Sequence, residues 1–327
     1  MKKIISFLLI LALCVTFLAS CVLLPEEIAF RQVNFYVDGE LYKTSNVIVG
    51  QGVATPKNPE KENFVFIGWR TEGSPSYMYD FASPVVNNIN LHACFTPDTV
   101  AIGNMIASQT LRSTVEVFTT ATNTVGDKAS GSTVAQGSGV VIRIAGGCCY
   151  VLTNAHVIDE IKGYSNHQIT VRDPWGYVYN AEVYVDQTTG RKVVSEDYDL
   201  AVIRFIYSPN PDQKMTKISF GDDVEIGDYV VAIGNPGGLI NSVTYGVALT
   251  YQKINAKEDD PINKITFDVL YHNAPTNHGS SGGALVDVYG NLVGLSFAGI
   301  DDGAYGCAIP ISQVKTFLNL YYPQYKN

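Results

Sequence analysis

The chain has 327 residues, which is enough for two domains with sizeable cores. Its formal net charge is −9 at pH 7, which argues against nucleic-acid binding and against a basic membrane-binding patch. Charged residues make up only 16% of the chain, while Val, Ile, Thr and Tyr are abundant, so the composition favours a β-rich protein.

Residues 1–21 have the features of an export signal rather than of a folded segment. Two lysines precede an apolar run over residues 4–17, which is too short to span a bilayer comfortably. The next four residues, Leu18 to Cys21, resemble the bacterial lipobox, in which the cysteine is lipidated and becomes the new N-terminus. An ordinary signal peptide or an uncleaved anchor helix is the alternative. We expect an exported lipoprotein, anchored at the bacterial cell surface through Cys21, with a tether over residues 22–31.

Four cysteines follow this segment: Cys94, Cys148, Cys149 and Cys307. Their spacing matches no zinc site, and an adjacent pair such as Cys148-Cys149 rarely forms a relaxed bridge. We expect small buried thiols in strands, with a bridge from one of the pair to Cys307 as the open alternative. No metal and no cofactor is predicted.

Residues 32–97 form a compact block that begins with an alternating strand pattern and the turn signal Asp38-Gly39. With Gly68-Trp69 and Tyr79-Asp80-Phe81 as markers, the whole block resembles the Listeria–Bacteroides (internalin B-type) repeat of bacterial surface proteins. The resemblance implies a small β-grasp domain that acts as a spacer or binding unit, with an unknown partner. We expect Trp69 to be its core aromatic rather than a ligand-stacking residue.

Residues 98–327 contain the rest of the predicted structure. Residues 98–112 have near-helical apolar spacing, and the segment from Pro310 to Tyr322 predicts a closing helix with one apolar face. Between them, many short strand patterns separated by turn residues are typical of a sandwich or barrel. Examples of the predicted strands are Val115–Phe118, Gly139–Ile144, Cys148–Thr153, Ala181–Val185, Leu200–Ile206, Tyr229–Ile233, Ile265–Tyr271, Ala284–Val288 and Leu292–Phe297.

Three motifs at strand edges indicate nucleophilic catalysis. Ser281 lies in a glycine-flanked turn, which lets a serine stand exposed and lets the backbone aim its N–H groups inward. His156 and Asp199 supply a base and an orienting carboxylate upstream, in the chymotrypsin-type order His, Asp, Ser. Each residue alone has a plain structural explanation, and Asp197 competes with Asp199. The conjunction of the three motifs favours the catalytic interpretation.

From about Ser113 to the last helix, the chain resembles the trypsin-like serine proteases, and among them the HtrA (Deg-type) bacterial proteases. The resemblance implies a mainly β double barrel, with His156 and Asp199 in the first barrel and Ser281 in the second. The matching strings are Gly137–Val141, Leu152–Val157, Asp199–Val202, Ala232–Pro236, Gly279–Leu285 and Gly306–Pro310.

The resemblance also implies the role of each site residue. Ser281 attacks a peptide carbonyl, His156 moves the proton, and Asp199 fixes the histidine tautomer. The backbone N–H groups of Gly279 and Ser281 bind the oxyanion. Protein or peptide substrates are therefore expected. The primary specificity pocket, with small or medium apolar preference and no preference for Lys or Arg, is expected at Pro275, Ser296, Phe297, Ala298 and Gly306.

Three departures from the family pattern are notable. Ser280 replaces the aspartate of trypsin, so activation by a new N-terminus is not expected. His278 stands where proline is common, and we expect its side chain to point to solvent. The segment after Ser281 suffices for closing strands and one helix, so no PDZ domain is expected. A catalytically inert trypsin-like domain used for adhesion or ligand binding is the alternative function.

Overall fold

The computed structural model describes residues 28–73, 77–125, 128–208, 212–236, 239–254, 261–300 and 305–326. The predicted export signal, the lipidation site Cys21 and most of the tether lie outside these residues. The chain forms two compact units that divide between Thr96 and Pro97. None of the helices within the described residues has the length and apolar character needed to cross a bilayer.

The N-terminal unit is a four-stranded mixed sheet made of β1 (Phe30–Val37), β2 (Glu40–Ile48), β3 (Phe64–Thr71) and β4 (Ile89–Pro97). The strand order is β2-β1-β4-β3, and β1 pairs with β4 in parallel. The predicted turn at Asp38-Gly39 is confirmed.

Both residues of this turn have positive φ, as a tight hairpin requires. In the core, Trp69 is 1% exposed and contacts Phe35 edge to face at 4.9 Å. The expected core role of Trp69 is therefore confirmed.

A short helix opens the second unit. Helix α1 (Thr99–Ser108) begins at Asp98, whose carboxylate accepts hydrogen bonds from two N–H groups of the first turn. Ile102 and Ile106 are buried on its inner face. The predicted helix over residues 98–112 is thus shorter than expected, because the chain tightens into a separate 3₁₀ turn at Thr110–Ser113.

Six strands of the first sheet form a closed ring in the order β11-β7-β6-β5-β8-β9, with β11 also pairing with β9 and with the short β10 added beside it. The barrel core is built from valine, isoleucine and aromatic side chains of these strands, including the fully buried Val117, Val151 and Ile203. The strands are β5 (Thr114–Val125), β6 (Lys128–Ala145), β7 (Cys148–Thr153), β8 (Asn166–Arg172), β9 (Val178–Val183), β10 (Val194–Ser195) and β11 (Leu200–Ile206).

A second closed barrel follows, in the order β12-β13-β14-β17-β16-β15. Helix α2 (Ile311–Tyr321) closes the fold, and its inner face buries Ile311, Val314, Phe317 and Leu318, as predicted. The strands are β12 (Tyr229–Gly234), β13 (Ser242–Gln252), β14 (Val269–His272), β15 (Ala284–Val286), β16 (Leu292–Ile300) and β17 (Tyr305–Pro310). The predicted mainly β fold with two barrels is confirmed.

The four cysteines in the described part of the chain, Cys94, Cys148, Cys149 and Cys307, are all unpaired. The alternative of a bridge to Cys307 is therefore not found. Burial raises the pKa of the Cys307 thiol to about 12, which disfavours the thiolate, the form that reacts as a nucleophile.

Candidate active site

His156 and Asp199 meet at the edge of the first barrel. Nδ1 of His156 lies 2.8 Å from Oδ2 of Asp199, and the backbone N–H of His156 donates to Oδ1 at 3.0 Å. Because a carboxylate only accepts, Nδ1 carries the proton and Nε2 is the acceptor nitrogen of the neutral ring. Asp199 is buried, whereas the competing carboxylate of Asp197 is exposed.

The backbone around Asp199 is held in an uncommon conformation. Asp199 has φ +49°, a region that non-glycine residues rarely adopt. Its carbonyl accepts hydrogen bonds from Nδ2 of Asn154 at 2.9 Å and from the N–H of Ala155 at 3.2 Å. These contacts tie the start of β11 to the segment that carries His156, so they hold the carboxylate at hydrogen-bonding distance from Nδ1 of the imidazole ring.

Ser281 lies between β14 and β15 of the second barrel and contacts the first barrel. Its Oγ donates to the carbonyl of Phe297 at 3.1 Å, and its own carbonyl accepts from the N–H of Ser138 at 2.7 Å. A Cβ built on Gly137 would lie 2.6 Å from Val157 and 3.0 Å from the carbonyl oxygen of Ser281. The segments that carry His156 and Ser281 therefore approach each other at Gly137, where only glycine leaves room.

The N–H groups of the loop from residue 278 to residue 283 have a distinctive pattern of hydrogen bonds. Four of these six groups donate within the protein, while those of Gly279 and Ser281 donate to no described residue. The four bonds are His278 N–H to Asn277 Oδ1, Ser280 N–H to Asn277 O, Gly282 N–H to Ser296 O and Gly283 N–H to Ser280 O. The two remaining donors are those that the sequence predicted for an oxyanion hole.

Two residues of this loop depart from the family pattern, His278 and Ser280. His278 is exposed, as expected. Ser280 is buried, and its Oγ accepts a hydrogen bond from the N–H of Asn277 at 3.2 Å. Ser280 therefore supports the turn locally. It does not need a new N-terminus as its partner, as the aspartate of trypsin does at this position.

The predicted pocket residues lie along β16, β17 and the loop before Ser281. Ser296, Phe297 and Gly306 are buried, whereas Ala298 is half-buried. Pro275 is exposed, and its carbonyl accepts a hydrogen bond from the hydroxyl of Thr244.

Two polar residues beside Gly306 were not predicted from the sequence. A Cβ built on this glycine would lie 2.2 Å from Cε1 of His272 and 2.8 Å from Oγ1 of Thr276. His272 is fully buried, and burial lowers its pKa to about 4, although the backbone of Ala274 opposes the shift. Within the described ranges, both ring nitrogens of His272, Oγ1 of Thr276 and Oγ of Ser296 make no hydrogen bond of normal geometry. The position of His272 in an otherwise apolar strand was the one feature of the sequence that could have indicated a buried polar side chain here.

Asp159 is a second carboxylate near His156 that the sequence analysis missed. The residue is exposed as a whole, but its carboxyl group is partly shielded from water. This shielding raises the pKa of Asp159, and the negative charge of Asp199 raises it further, while His156 and Lys264 oppose the shift. The site therefore has two carboxylates close to the histidine, one in hydrogen-bonding contact and one acting through its field.

Two segments of the chain match known domain families. Residues 137–295 match the trypsin-like peptidase domain, and residues 32–94 match the Listeria–Bacteroides repeat domain. The first match contains all three residues of the predicted triad.

Curated relatives align with little more than half of the chain. A putative serine protease HhoA of Synechocystis is 33% identical over 185 residues, which are 56% of this chain and 42% of the relative. The periplasmic serine endoprotease DegP of Salmonella typhimurium is 36% identical over 188 residues, which are 56% of this chain and 34% of the relative. The chain thus spans less than half the length of these relatives.

A solved structure has the same fold. The active form of the Rv3671c protease from M. tuberculosis superposes with a TM-score of 0.51 at 24% identity, covering 69% of this chain and 88% of that one. This similarity concerns the fold alone. The chain carries a trypsin-like peptidase domain, homologous to the HtrA and DegP serine proteases, and a Listeria–Bacteroides repeat domain.

Proposed function

We propose that this protein is a serine endopeptidase that hydrolyses peptide bonds through Ser281, His156 and Asp199. The observation that carries the proposal is the loop around Ser281, in which the N–H groups of Gly279 and Ser281 alone, among residues 278–283, donate to no described residue. Two such donors beside a serine are what acyl transfer needs, because negative charge develops on the carbonyl oxygen in the transition state.

The proposed reaction gives each of the three side chains one role. Ser281 gives up its hydrogen bond to Phe297, and its Oγ attacks the substrate carbonyl while Nε2 of His156 accepts the proton. Asp199 stabilises the resulting imidazolium through Nδ1, at the 2.8 Å contact. The imidazolium then protonates the leaving amine, and an acyl-enzyme remains on Ser281. Water activated by the same histidine hydrolyses this ester and regenerates the serine.

The relatives support the same function and a location outside the cytoplasm. Several relatives are named serine proteases, and the Salmonella relative is named a periplasmic one. We propose that this protein is exported as well, cleaved before Cys21 and held on the cell surface by lipid on that residue. We also propose that residues 32–97 and 98–327 are separate domains, of which the second carries the activity.

Covalent labelling of the nucleophile tests the proposed activity. The mature protein should react with a fluorophosphonate probe, and Ser281→Ala should abolish the label, while Ser219→Ala, an exposed serine far along the chain from the motif, should leave it unchanged. Turnover of a peptide should fall about a millionfold in Ser281→Ala. A parent protein that takes no label and cleaves no peptide would favour the inert adhesion domain instead.

Metabolic labelling tests the proposed anchor. Cells given radioactive palmitate should yield a labelled protein, and Cys21→Ala should remove the radioactivity. Cys148→Ala, which changes a thiol outside the leader, serves as the control and should retain it. Palmitate incorporation that persists in Cys21→Ala would show that the anchor is elsewhere.

A further inference from the structure

Ser138 belongs to β6 of the first barrel, yet it makes two hydrogen bonds to the catalytic loop of the second. Its N–H donates to the carbonyl of Ser281 at 2.7 Å, and its Oγ donates to the carbonyl of Gly279 at 2.7 Å. Gly279 and Ser281 are the residues whose N–H groups are the proposed oxyanion donors. One residue of the opposite barrel thus holds the carbonyls of both.

The direction of the Ser138 hydroxyl is fixed by Asn235, which directly follows β12. The backbone N–H of Asn235 lies 3.0 Å from Ser138 Oγ, and its side-chain Nδ2 lies 3.1 Å away. Both groups are donors, so they occupy the two lone pairs of the hydroxyl oxygen. The hydroxyl hydrogen must then point to an acceptor, and the carbonyl of Gly279 is that acceptor.

The amide of Asn235 is itself held in this orientation. Its Oδ1 accepts the N–H of Asn241 at 2.9 Å, and its Nδ2 also lies 3.3 Å from the carbonyl of Val115. With the amide reversed, Nδ2 would face the N–H of Asn241, a donor against a donor. Oδ1 would face the carbonyl of Val115, an acceptor against an acceptor. Asn235 and Ser138 are both about 1% exposed, so water cannot readily replace either contact.

We propose that Ser138 and Asn235 are positioning residues that set the oxyanion hole through the carbonyl of Gly279. This inference rests on the proposed peptidase activity. Without the hydroxyl, the buried carbonyl of Gly279 loses its hydrogen-bond donor. An unsatisfied buried carbonyl is unfavourable, so the peptide group between residues 279 and 280 is expected to rotate toward another donor. This peptide group carries the N–H of Ser280 and lies between the two proposed donors, so its rotation changes the backbone that sets the N–H groups of Gly279 and Ser281 relative to each other. Transition-state stabilisation is then lost while ground-state substrate binding is kept.

Two substitutions test this role from opposite ends of the contact. Ser138→Ala removes the donor to Gly279. Asn235→Asp is nearly isosteric but makes the side chain an acceptor only, so the hydroxyl of Ser138 turns toward the carboxylate and leaves Gly279. In each variant kcat on a fixed peptide should fall about 10- to 100-fold, with KM within about twofold of the parent value.

Two further variants serve as controls. Ser138→Thr keeps a hydroxyl and should restore most of the lost kcat. Asn319→Asp introduces the same new charge on α2, where Oδ1 accepts from the hydroxyl of Tyr325 and can still do so, and should leave kcat unchanged. Each protein is first compared with the parent by circular dichroism and thermal unfolding, and Asn235→Asp remains the test if Ser138→Ala does not fold.

The outcomes separate this inference from the activity on which it rests. A parent protein that is neither labelled by fluorophosphonate nor active on peptides overturns both. A labelled, active parent whose folded Ser138→Ala and Asn235→Asp variants keep kcat within twofold overturns only the positioning role. An equal loss in Ser138→Ala and Ser138→Thr overturns it too, because the hydroxyl would then not be the group that matters.

Discussion

His156 occupies both carboxylate oxygens of Asp199, with the ring at Oδ2 and the backbone N–H at Oδ1. Asp199→Asn therefore has a defined consequence. The backbone N–H retains the amide oxygen, so the amide nitrogen faces Nδ1 and requires that nitrogen to be unprotonated. The ring then carries its proton on Nε2 and cannot accept one from Ser281. We expect kcat to fall about 10⁴-fold, measured on a peptide substrate at neutral pH.

The matched control for this change is Asp197→Asn. Asp197 is exposed and lies two residues away, so its amide variant should keep kcat within about twofold. A comparable loss in both variants would mean that the local charge, and not the contact with the imidazole, supports the reaction.

A second prediction concerns His272 and the stability of the fold in acid. An unfolded histidine takes up a proton below roughly pH 6.5, whereas buried His272 has a pKa of about 4. Between these values the unfolded state binds the additional proton, so the stability that neutral His272 provides above pH 6.5 is lost as the pH falls toward 4. The expected loss is up to about 3 kcal/mol in the free energy of unfolding.

Urea unfolding at pH 7 and pH 4.5 measures this loss in the parent and in His272→Leu. The unfolding free energy should change less between the two pH values in the variant. His272, which binds a proton at different pH in the folded and unfolded states, has been removed there. His278→Gln, at an exposed histidine, should behave like the parent. The same pH dependence in all three proteins would exclude His272 as its source.

A third prediction concerns Asp159 and the pH dependence of turnover. Activity should fall on acidification through roughly pH 6–7, where a histidine base gains a proton. An ionised Asp159 near His156 favours the imidazolium, so Asp159→Asn should move this fall to lower pH. The shift should be about half a unit or less, since salt screens an exposed charge, and it should shrink in 1 M salt. A shift to higher pH would contradict this account.

A fourth prediction compares two glycines with positive φ. A Cβ on Gly282, at φ +82°, would lie 2.1 Å from the carbonyl oxygen of Ser138 and 2.5 Å from Oγ1 of Thr153, so Gly282→Ala combines backbone strain with overlap. Gly146, at φ +59°, has no atom within 4 Å of its added Cβ. Thermal and urea unfolding should show a loss of at least about 3 kcal/mol for Gly282→Ala and about 1 kcal/mol for Gly146→Ala. Equal losses of unfolding free energy in the two variants would show that overlap of the added Cβ with Ser138 and Thr153 does not destabilise the fold.

Much of the fold could be predicted because its signals are local. The strand patterns at Cys148–Thr153 and Leu200–Ile206 are apolar runs bounded by turns, and both are strands with these bounds. Helix α2 was found because its apolar residues recur at helical spacing. In contrast, β13 (Ser242–Gln252) is not among the strands named from the sequence. It carries Gly246, where a side chain would collide with the backbone of Ala274, a requirement that only the folded barrel reveals.

The candidate site divides in the same way. His156, Asp199 and Ser281 lie in recognisable sequence motifs. The glycines around Ser281 indicate a turn with unusual backbone angles. The contacts of His272 and Thr276 with Gly306 could not be predicted from the sequence, because they depend on the pairing of β14 with β17. The contact of Ser138 with Gly279 spans 141 positions, and no local pattern encodes a contact at that separation.

The serine turn is held by the hydrogen bonds that Ser138 donates to Gly279 and Ser281, by the one that Gly282 donates to Ser296, and by the one that Ser296 donates to Gly283. These bonds affect when the site can form during synthesis. A polypeptide leaves the ribosome from its N-terminus, so the histidine and the aspartate emerge long before the strand that braces the serine turn. Until Ser296 has been translated and β16 has paired, the newly made chain lacks the bonds that hold the proposed site together, so the proposed peptidase cannot act on the chain itself or on the machinery that makes it.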